Sequence, residues 1–510
     1  MNIRKLILLI TAILLIYSNL IAKTYPLQSK AKANSGFQYK EKLPADTLAK
    51  KLVNELLTAL NSDDRKVMAD FVALRCSQNL LQRIPLNIAV SLTRGYYYET
   101  GGLGYNLIRI LPVEPNLVKA ELFNRLTEAK VLLKIPVSAD AVTTITGPVE
   151  IKVIEPKAGE KQGNNLTDRE IINRIEQCLN KLKADEEFSG AVVLAKNENV
   201  LIKECIGFAN RNFEVPNAAD TKFNLASVGK IFTGLAITQL VEKGLLSFDD
   251  TISKFVPADW LNPAVSRKIQ IKHLLTHTSG LGDYFKEINK QCNILFFKDL
   301  NDYKSLIDND TLAFKPGTRF SYSNTGMLLL GVVIENVTHQ KYYDYLRNNI
   351  FIPVGMANTD AFDKDKAVKN LATGYTKRYE NGEIFWDNHQ SNRILRGSPS
   401  GGLYSTIDDM LKFDDAIRSN KLLSPESSEV LFTGRPELNA SFHSYGFFVS
   451  EGVAGRVASH QGDGSGVNCQ FKMYLDSGYT VIVLSNYSLP SANIVTNVID
   501  QLIVNKSSIK

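Results

Sequence analysis

Asn468–Asn486 reads NCQFKMYLDSGYTVIVLSN. Two runs rich in apolar and β-branched residues, Asn468–Leu475 and Tyr479–Asn486, flank Asp476-Ser477-Gly478, so the stretch predicts two strands joined by a tight turn. A second pair is predicted far upstream, Gly190–Lys196 and Val200–Ala209, joined around Asn197-Glu198-Asn199. Before the upstream pair, Thr167-Asp168-Arg169-Glu170 reads as a capping box opening a helix with Ile171, Ile172, Ile175, Cys178, Leu179 and Leu182 on one side. After the downstream pair comes another helix, Ser491 to Val504, built on Ile494, Val495, Val498, Ile499 and Leu502. Strands at both ends of a long helical middle predict an α+β fold. One antiparallel sheet is closed by both ends of the region, the terminal helices cover a face, and the middle forms a helical subdomain. A site is expected in the cleft between sheet and helices.

The chain has 510 residues, too many for one core, and predicts two or three domains. Leu48, Leu52, Leu56 and Leu60 recur every four residues with Val53 and Leu57 beside them, an amphipathic helix ended by Asn61-Ser62-Asp63-Asp64. Val67–Cys76 and Pro85–Tyr97 are read as helical. After Gly101-Gly102 the pattern turns to strands: Tyr105–Val113, Leu117–Phe123, Lys130–Val137 and Val142–Ile154. Residues 43–154 are therefore a small α+β domain, and this element order resembles the nuclear-transport-factor-2-like cone fold. Residues 155–166, polar with Pro and Gly, read as a linker to a larger domain at 167–504.

Arg4 and Lys5 precede an uncharged run, Leu6–Ala22, LILLITAILLIYSNLIA. Residues 1–22 have the layout of a signal peptide or a retained anchor: Ala22 suits the residue before a cut, while Leu20 is not small. Residues 23–42 are a polar tether. The expected location is outside the cytoplasm, periplasmic or secreted. A net charge of +6 without a lysine-arginine block gives no support for nucleic-acid binding. The five cysteines, Cys76, Cys178, Cys205, Cys292 and Cys469, are scattered without a C-x-x-C pair, so neither a zinc site nor a disulfide framework is indicated. The oligomeric state is not legible.

Chemistry enters at Ser227-Val228-Gly229-Lys230. On a helix the hydroxyl and the amine share a face. A serine becomes a nucleophile when a base takes its proton, and a lysine serves as that base if burial lowers its pKa. Tyr322-Ser323-Asn324 sets a phenol and an amide two apart, pointing the same way if extended. The phenol can relay a proton, and the amide can hold a carbonyl and fix the lysine. Ser459-His460-Gln461-Gly462-Asp463-Gly464-Ser465-Gly466 lies before the predicted strand at 468; its glycines permit close approach to backbone.

SVGK, YSN and HQG, in this order and rough spacing, resemble the motifs of the penicillin-recognising serine hydrolases: class C β-lactamases, D-alanyl-D-alanine peptidases, D-aminopeptidases and related esterases. HLLTHTSGL (His273–Leu281), PVGM (Pro353–Met356), ATGY (Ala372–Tyr375) and SPSGGLYST (Ser398–Thr406) fall in the same order. The resemblance covers Thr167 to Val504 and implies a β-lactamase/transpeptidase-like fold. It makes Ser227 the acylated nucleophile, Lys230 its base partner and Tyr322 a second acid/base group. Asn324, His460 and Gly462 would line the substrate, and the backbone N–H groups of Ser227 and Asp463 would form an oxyanion hole. It implies no cofactor and no metal.

One departure narrows the substrate. The resistance enzymes and transpeptidases of this family carry Lys-Thr-Gly or a close variant where this chain has His460-Gln461-Gly462. Histidine is largely neutral above about pH 6.5, so anion recognition is expected to be weak at neutral pH and to strengthen below it. The expected function is an exported serine hydrolase cleaving an ester or amide, with a small-molecule or peptide substrate of cell-wall D-peptide type. The alternatives are a true β-lactamase, or a catalytically silent binding protein that docks a partner through its N-terminal domain. His273 and His277, four apart, resemble half a metal site but lack a third ligand, so a structural role is expected. Arg393 and Arg396 are expected to be surface charges.

Overall fold

The computed structural model describes residues 44–155, 166–288, 297–307, 311–380, 383–389 and 396–507. The signal or anchor at 1–22, the tether, Cys292, Arg393 and most of the linker lie outside them. Among the described residues no helix is long and apolar enough to cross a membrane. The chain forms two compact units, one running to Leu182 and resuming at Asn497, the other spanning Lys183–Thr496.

In the first unit, helices α1 (Ala45–Leu60), α2 (Arg65–Arg75), α3 (Gln78–Arg83) and α4 (Leu86–Tyr98) precede strands β1 (Tyr105–Ile110), β2 (Leu117–Asn124), β3 (Lys130–Pro136) and β4 (Glu150–Val153). The strands pair antiparallel in chain order. The leucine repeat of α1 packs on Val118, Ala120, Leu122, Val131, Leu133 and Ile135, the buried alternate positions of β2 and β3. The fourth strand is shorter than the expected Val142–Ile154, because the segment before it turns at 138–144 and then meets Gly147-Pro148, which cannot extend a ladder. Helix α5 (Asp168–Ala184) belongs to this unit as far as Leu182: Cys178 Sγ donates to the Tyr98 carbonyl at 3.4 Å. The capping box is present, with Thr167 N–H donating to Glu170 Oε2 at 2.7 Å and Glu170 N–H to Thr167 Oγ1 at 3.2 Å.

The second unit is built on one six-stranded antiparallel sheet. Its strands are β5 (Gly190–Lys196), β6 (Asn199–Ile206), β7 (Phe448–Gly452), β8 (Gly455–Gly464), β9 (Val467–Tyr474) and β10 (Tyr479–Ser485), in the order β7-β8-β9-β10-β5-β6. Closure by both ends of the region is realised in the β10–β5 ladder, where Val483 faces Val192 and Ile482 faces Val193. The expected strand Val200–Ala209 breaks at Gly207, whose φ of 74° lies in the left-handed region, and Phe208–Asn210 starts a separate ribbon. Between the sheet strands run helices α6 (Lys230–Glu242) and α7 (Asn324–Thr338). Every residue of α6 from Lys230 to Leu240 is buried, so this helix is enclosed on all sides. The final helix α8 (Ser491–Ser507) begins on the sheet, where Asn493 Oδ1 accepts from Asn468 Nδ2 and Gln470 Nε2, each at 2.9 Å.

Candidate active site

Ser227 sits in a 3-10 turn, Ala226–Gly229, that runs directly into α6. Ala226 is held at φ 41°, a left-handed conformation that costs a β-carbon-bearing residue energy and turns the chain sharply before the serine. Its N–H donates to Asn224 Oδ1 at 2.7 Å and its carbonyl accepts from Gly402 N–H at 3.0 Å. A β-carbon at Gly229 would lie 3.0 Å from Leu403 Cδ1 and 3.2 Å from Gly401 Cα, so the glycine of SVGK lets the SPSGG loop close onto the turn.

Lys230 is the first residue of α6 and has no solvent exposure. Its Nζ lies 3.0 Å from Ser227 Oγ and donates to the Ser400 carbonyl. Burial lowers its pKa from 10.5 to about 7, against the opposing pull of the Asp283 carboxylate. A neutral amine is thus available near physiological pH, in contact with the one hydroxyl it has to activate. Lys230 Nζ is also 4.9 Å from the centre of the Tyr322 ring.

The YSN segment is fixed from His277, itself at φ 56°. The His277 carbonyl accepts from Ser321 N–H at 2.8 Å, its Nδ1 accepts from Ser323 N–H at 3.2 Å, and its ring packs on Tyr322 with centres 4.3 Å apart. Ser323 caps α7 through Gly326 N–H at 3.1 Å and donates to the Gly282 carbonyl at 2.7 Å. Asn324 then opens α7 buried, with Nδ2 donating to the Asp283 carboxylate at 2.9 and 3.2 Å. His273 caps its own short helix, Nδ1 accepting from Gln270 N–H at 3.1 Å. Both histidines therefore bond to backbone, in keeping with the structural role expected for them. Among the described residues no group of histidine, cysteine, aspartate and glutamate is placed to hold a metal ion.

The third motif differs from its reading in the sequence. His460, Gly462 and Asp463 lie inside strand β8 rather than ahead of a strand. Gly462 presses on the serine turn: a β-carbon there would come 2.2 Å from the Leu225 carbonyl oxygen and 3.1 Å from Ala226 Cβ. This brings the backbone that carries Asp463 against the turn that carries Ser227. The Asp463 side chain points elsewhere and accepts from Asn468 Nδ2 at 2.5 Å, with burial pushing its pKa up to about 7. His460 is 2% exposed. Its Nδ1 donates to the Gln461 carbonyl at 2.7 Å, which leaves a lone pair on Nε2. Burial first, then Lys230 and His443 nearby, hold its pKa well below 6.5. The expected strengthening of anion binding just below pH 6.5 is corrected accordingly: the ring presents an acceptor, not a cation.

Sequence reasoning did not find Ser400, Asp283 or His443. Ser400 supplies the carbonyl for Lys230 and holds its hydroxyl 2.5 Å from Tyr284 and 2.8 Å from Ser398; its signal in the sequence is the SPSGG segment. His443 stands 4.9 Å from His277, ring to ring, in a stretch without a motif. Arg396 is not a free surface charge: its guanidinium lies 3.6 Å above the Tyr343 ring and its Nε donates to the Ala361 carbonyl at 2.9 Å.

Residues 175–503 match the family model described as Beta-lactamase. The chain belongs to the β-lactamase family. Over 342 residues it is 28% identical to "Penicillin-binding protein 4*" of Bacillus subtilis (strain 168), covering 61% of this chain and 71% of that one. It is 29% identical over 329 residues to "Protein flp" of Staphylococcus aureus (strain MRSA252), covering 63% of each. The crystal structure of a penicillin-binding protein from Bacillus halodurans superposes with a TM-score of 0.57 at 32% identity, covering 64% of this chain and 98% of that one. Members of this family are serine hydrolases with an antiparallel sheet flanked by helices, as here. The match begins at residue 175, past the four strands of the first unit.

Proposed function

We propose that this protein is an exported serine hydrolase that cleaves an ester or amide bond of a D-configured peptide or ester through an acyl-serine. The observation that carries this reading is the contact between a buried, near-neutral lysine amine and Ser227 Oγ at 3.0 Å. Lys230 takes the hydroxyl proton as Oγ bonds to the substrate carbonyl carbon. The oxyanion that forms is met by the backbone N–H groups of Ser227 and Asp463. Tyr322, held on His277 beside Lys230, passes a proton to the leaving group as its bond to carbon breaks. Water then attacks the acyl-serine, its proton moving onto the same relay, and the serine is restored.

The neutral His460 favours a peptidase or esterase over a β-lactamase, because no ammonium stands at the third motif to hold a β-lactam carboxylate. Export rests on the basic start and apolar run at 4–22. The test is a hydrolysis screen of the full chain on short-chain esters, D-amino-acid amides, muropeptides and β-lactams, with Ser227→Ala as the blank. Fluorophosphonate labelling that disappears in Ser227→Ala is expected. No labelling of the wild type by any serine-directed probe would leave a silent binding protein, and nitrocefin turnover at the rate of a dedicated resistance enzyme would reverse the reading of His460.

A further inference from the structure

The Asn324 amide is bonded on one side only. Its NH2 faces the Asp283 carboxylate, while its Oδ1 is buried without a partner. A carboxylate accepts and does not donate, so Asp283 selects this amide orientation and excludes the flipped one. An orphaned buried acceptor is costly unless some state of the protein uses it.

Lys230 has the complementary deficit. As a neutral amine, its lone pair takes the Ser227 hydroxyl proton and one N–H goes to the Ser400 carbonyl. Once protonated it carries three N–H donors, and Ser227 and Ser400 account for two. We propose that Asp283 is a positioning residue for this hydrolase: it fixes the Asn324 amide with its NH2 on the carboxylate and its Oδ1 left to accept and, by its charge, favours the ammonium that forms when Ser227 is deprotonated. This rests on the reading of Ser227 and Lys230 given above.

Asp283 and Asn324 are each held in place. Asp283 is itself fixed by Phe285 N–H at 3.1 Å, and Ser323, next to Asn324, is tied to the Gly282 carbonyl at 2.7 Å, so carboxylate and amide are held from two chain segments. The other titratable groups grouped with Lys230 are Tyr322, His277, His443 and His460. Burial lowers the pKa of all three histidines, so the carboxylate among these groups is Asp283, whose own pKa burial raises against the opposing pull of Phe285 N–H, Asn324, Lys230 and Lys286. It opposes the burial that depresses Lys230.

The sign of the test follows. Lys230 works as a base only when neutral, so the acid limb of the pH profile of kcat/KM reports its pKa. An anion nearby raises that pKa; removing it moves the limb to lower pH. The experiment uses the full chain, p-nitrophenyl butyrate turnover and acylation by a fluorescent fluorophosphonate across the limb, for wild type, Asp283→Asn and Asp283→Glu. Asp283→Asn is expected to move the limb down by about one pH unit and to lower kcat about tenfold, since its amide also permits Asn324 to flip. Asp283→Glu keeps the charge and is expected to keep the limb while losing part of kcat. Asp283→Ser gives the same readout should Asp283→Asn not fold. A limb unmoved in Asp283→Asn, with activity reduced alike in both variants, would mean that Asp283 only supports the loop and would overturn the proposal. A wild type that neither turns over the ester nor labels at Ser227 would instead defeat the hydrolase reading beneath it.

Discussion

Two buried polar clusters, one in each unit, treat their polar atoms in opposite ways. In the first, Asn124 is fully buried and completely bonded: Nδ2 donates to the Glu99 carbonyl at 3.2 Å and to Gln501 Oε1 at 2.9 Å, and Oδ1 accepts from the N–H groups of Leu126 and Thr127. Thr127 donates to the same Gln501 oxygen at 2.8 Å, and Asn505 Nδ2 donates to the Thr127 carbonyl at 3.1 Å. In the second, Asn324 Oδ1 and Nε2 of His277, His443 and His460 are buried without partners, and the charge of Lys230 acts on all three rings. A satisfied network fixes a structure. A set of unsatisfied atoms around a base is a cost kept for chemistry. Single unpartnered atoms also occur elsewhere, Glu150 Oε2 in the first unit among them; the group at Lys230 differs in gathering several around one base.

The comparison breaks most sharply at Lys230. Lys230→Met removes a buried amine from an apolar helix and is expected to lower kcat/KM by about 10²- to 10⁴-fold while leaving the melting temperature of the second unit unchanged or higher. Lys230→Arg is expected to be as inactive, because a guanidinium does not surrender its proton. Stopped-flow acylation beside a thermal melt checks both; a loss of activity that only tracked a loss of stability would contradict the division.

Asn124→Ala is the mirror experiment. It strands Gln501 and the turn at 124–129, and is expected to cost about 2–3 kcal/mol of unfolding free energy with no change in the Ser227 acylation rate. Denaturant unfolding followed alongside probe labelling measures both quantities.

Glu99 sharpens the contrast through pH. It accepts from Asn497 Nδ2 at 2.7 Å, and burial raises its pKa from 4.5 to about 8, with Asp500 adding to the rise. All six histidines of the chain lie in the second unit. The folded carboxyl holds its proton between pH 4.5 and 8 while the unfolded one releases it, so the stability it provides is complete below 4.5 and is lost as pH rises to about 8. The steepest slope is about 1.4 kcal/mol per pH unit. Unfolding of the first unit, followed by hydrogen exchange of β2 and β3, is expected to ease from pH 5 to 8 in wild type and to flatten in Glu99→Gln.

What was legible in the sequence follows the same division between regular pattern and assembled contact. Strands β9, β10 and β5 announce themselves because their cores are Phe471, Ile482, Val483 and Val193, apolar and β-branched. Strand β8 did not, because its buried alternate positions are Ala458, His460 and Gly462, too small or too polar to register as a stripe. Ser227, Lys230, Tyr322 and Asn324 stand out as short-range pairs. Asp283 and Ser400 reach Asn324 and Lys230 from segments 41 and 170 residues away, a closeness that only the folded loops create. The position of His460 was readable. Its charge was not, since that depends on burial and on which carbonyl takes the Nδ1 proton.

His460 therefore gives the smallest and most diagnostic effect. Its ring is packed against Phe448 with centres 5.3 Å apart, and protonating Nε2 would place a second cation beside Lys230 without an acceptor to receive it. The ring is expected to stay neutral from pH 5 to 8, so the preference for a carboxylate-bearing ester over its neutral amide should be flat across that range. In His460→Lys the same ratio should rise by a few fold at most, because burial at this position draws a lysine toward its neutral form as it does at Lys230. Measured KM ratios decide between the two regions' logic at this one residue. A wild-type ratio that climbs below pH 6.5 would mean that His460 finds a partner when charged, and that the cluster at Lys230, like the one at Asn124, bonds the polar groups it buries.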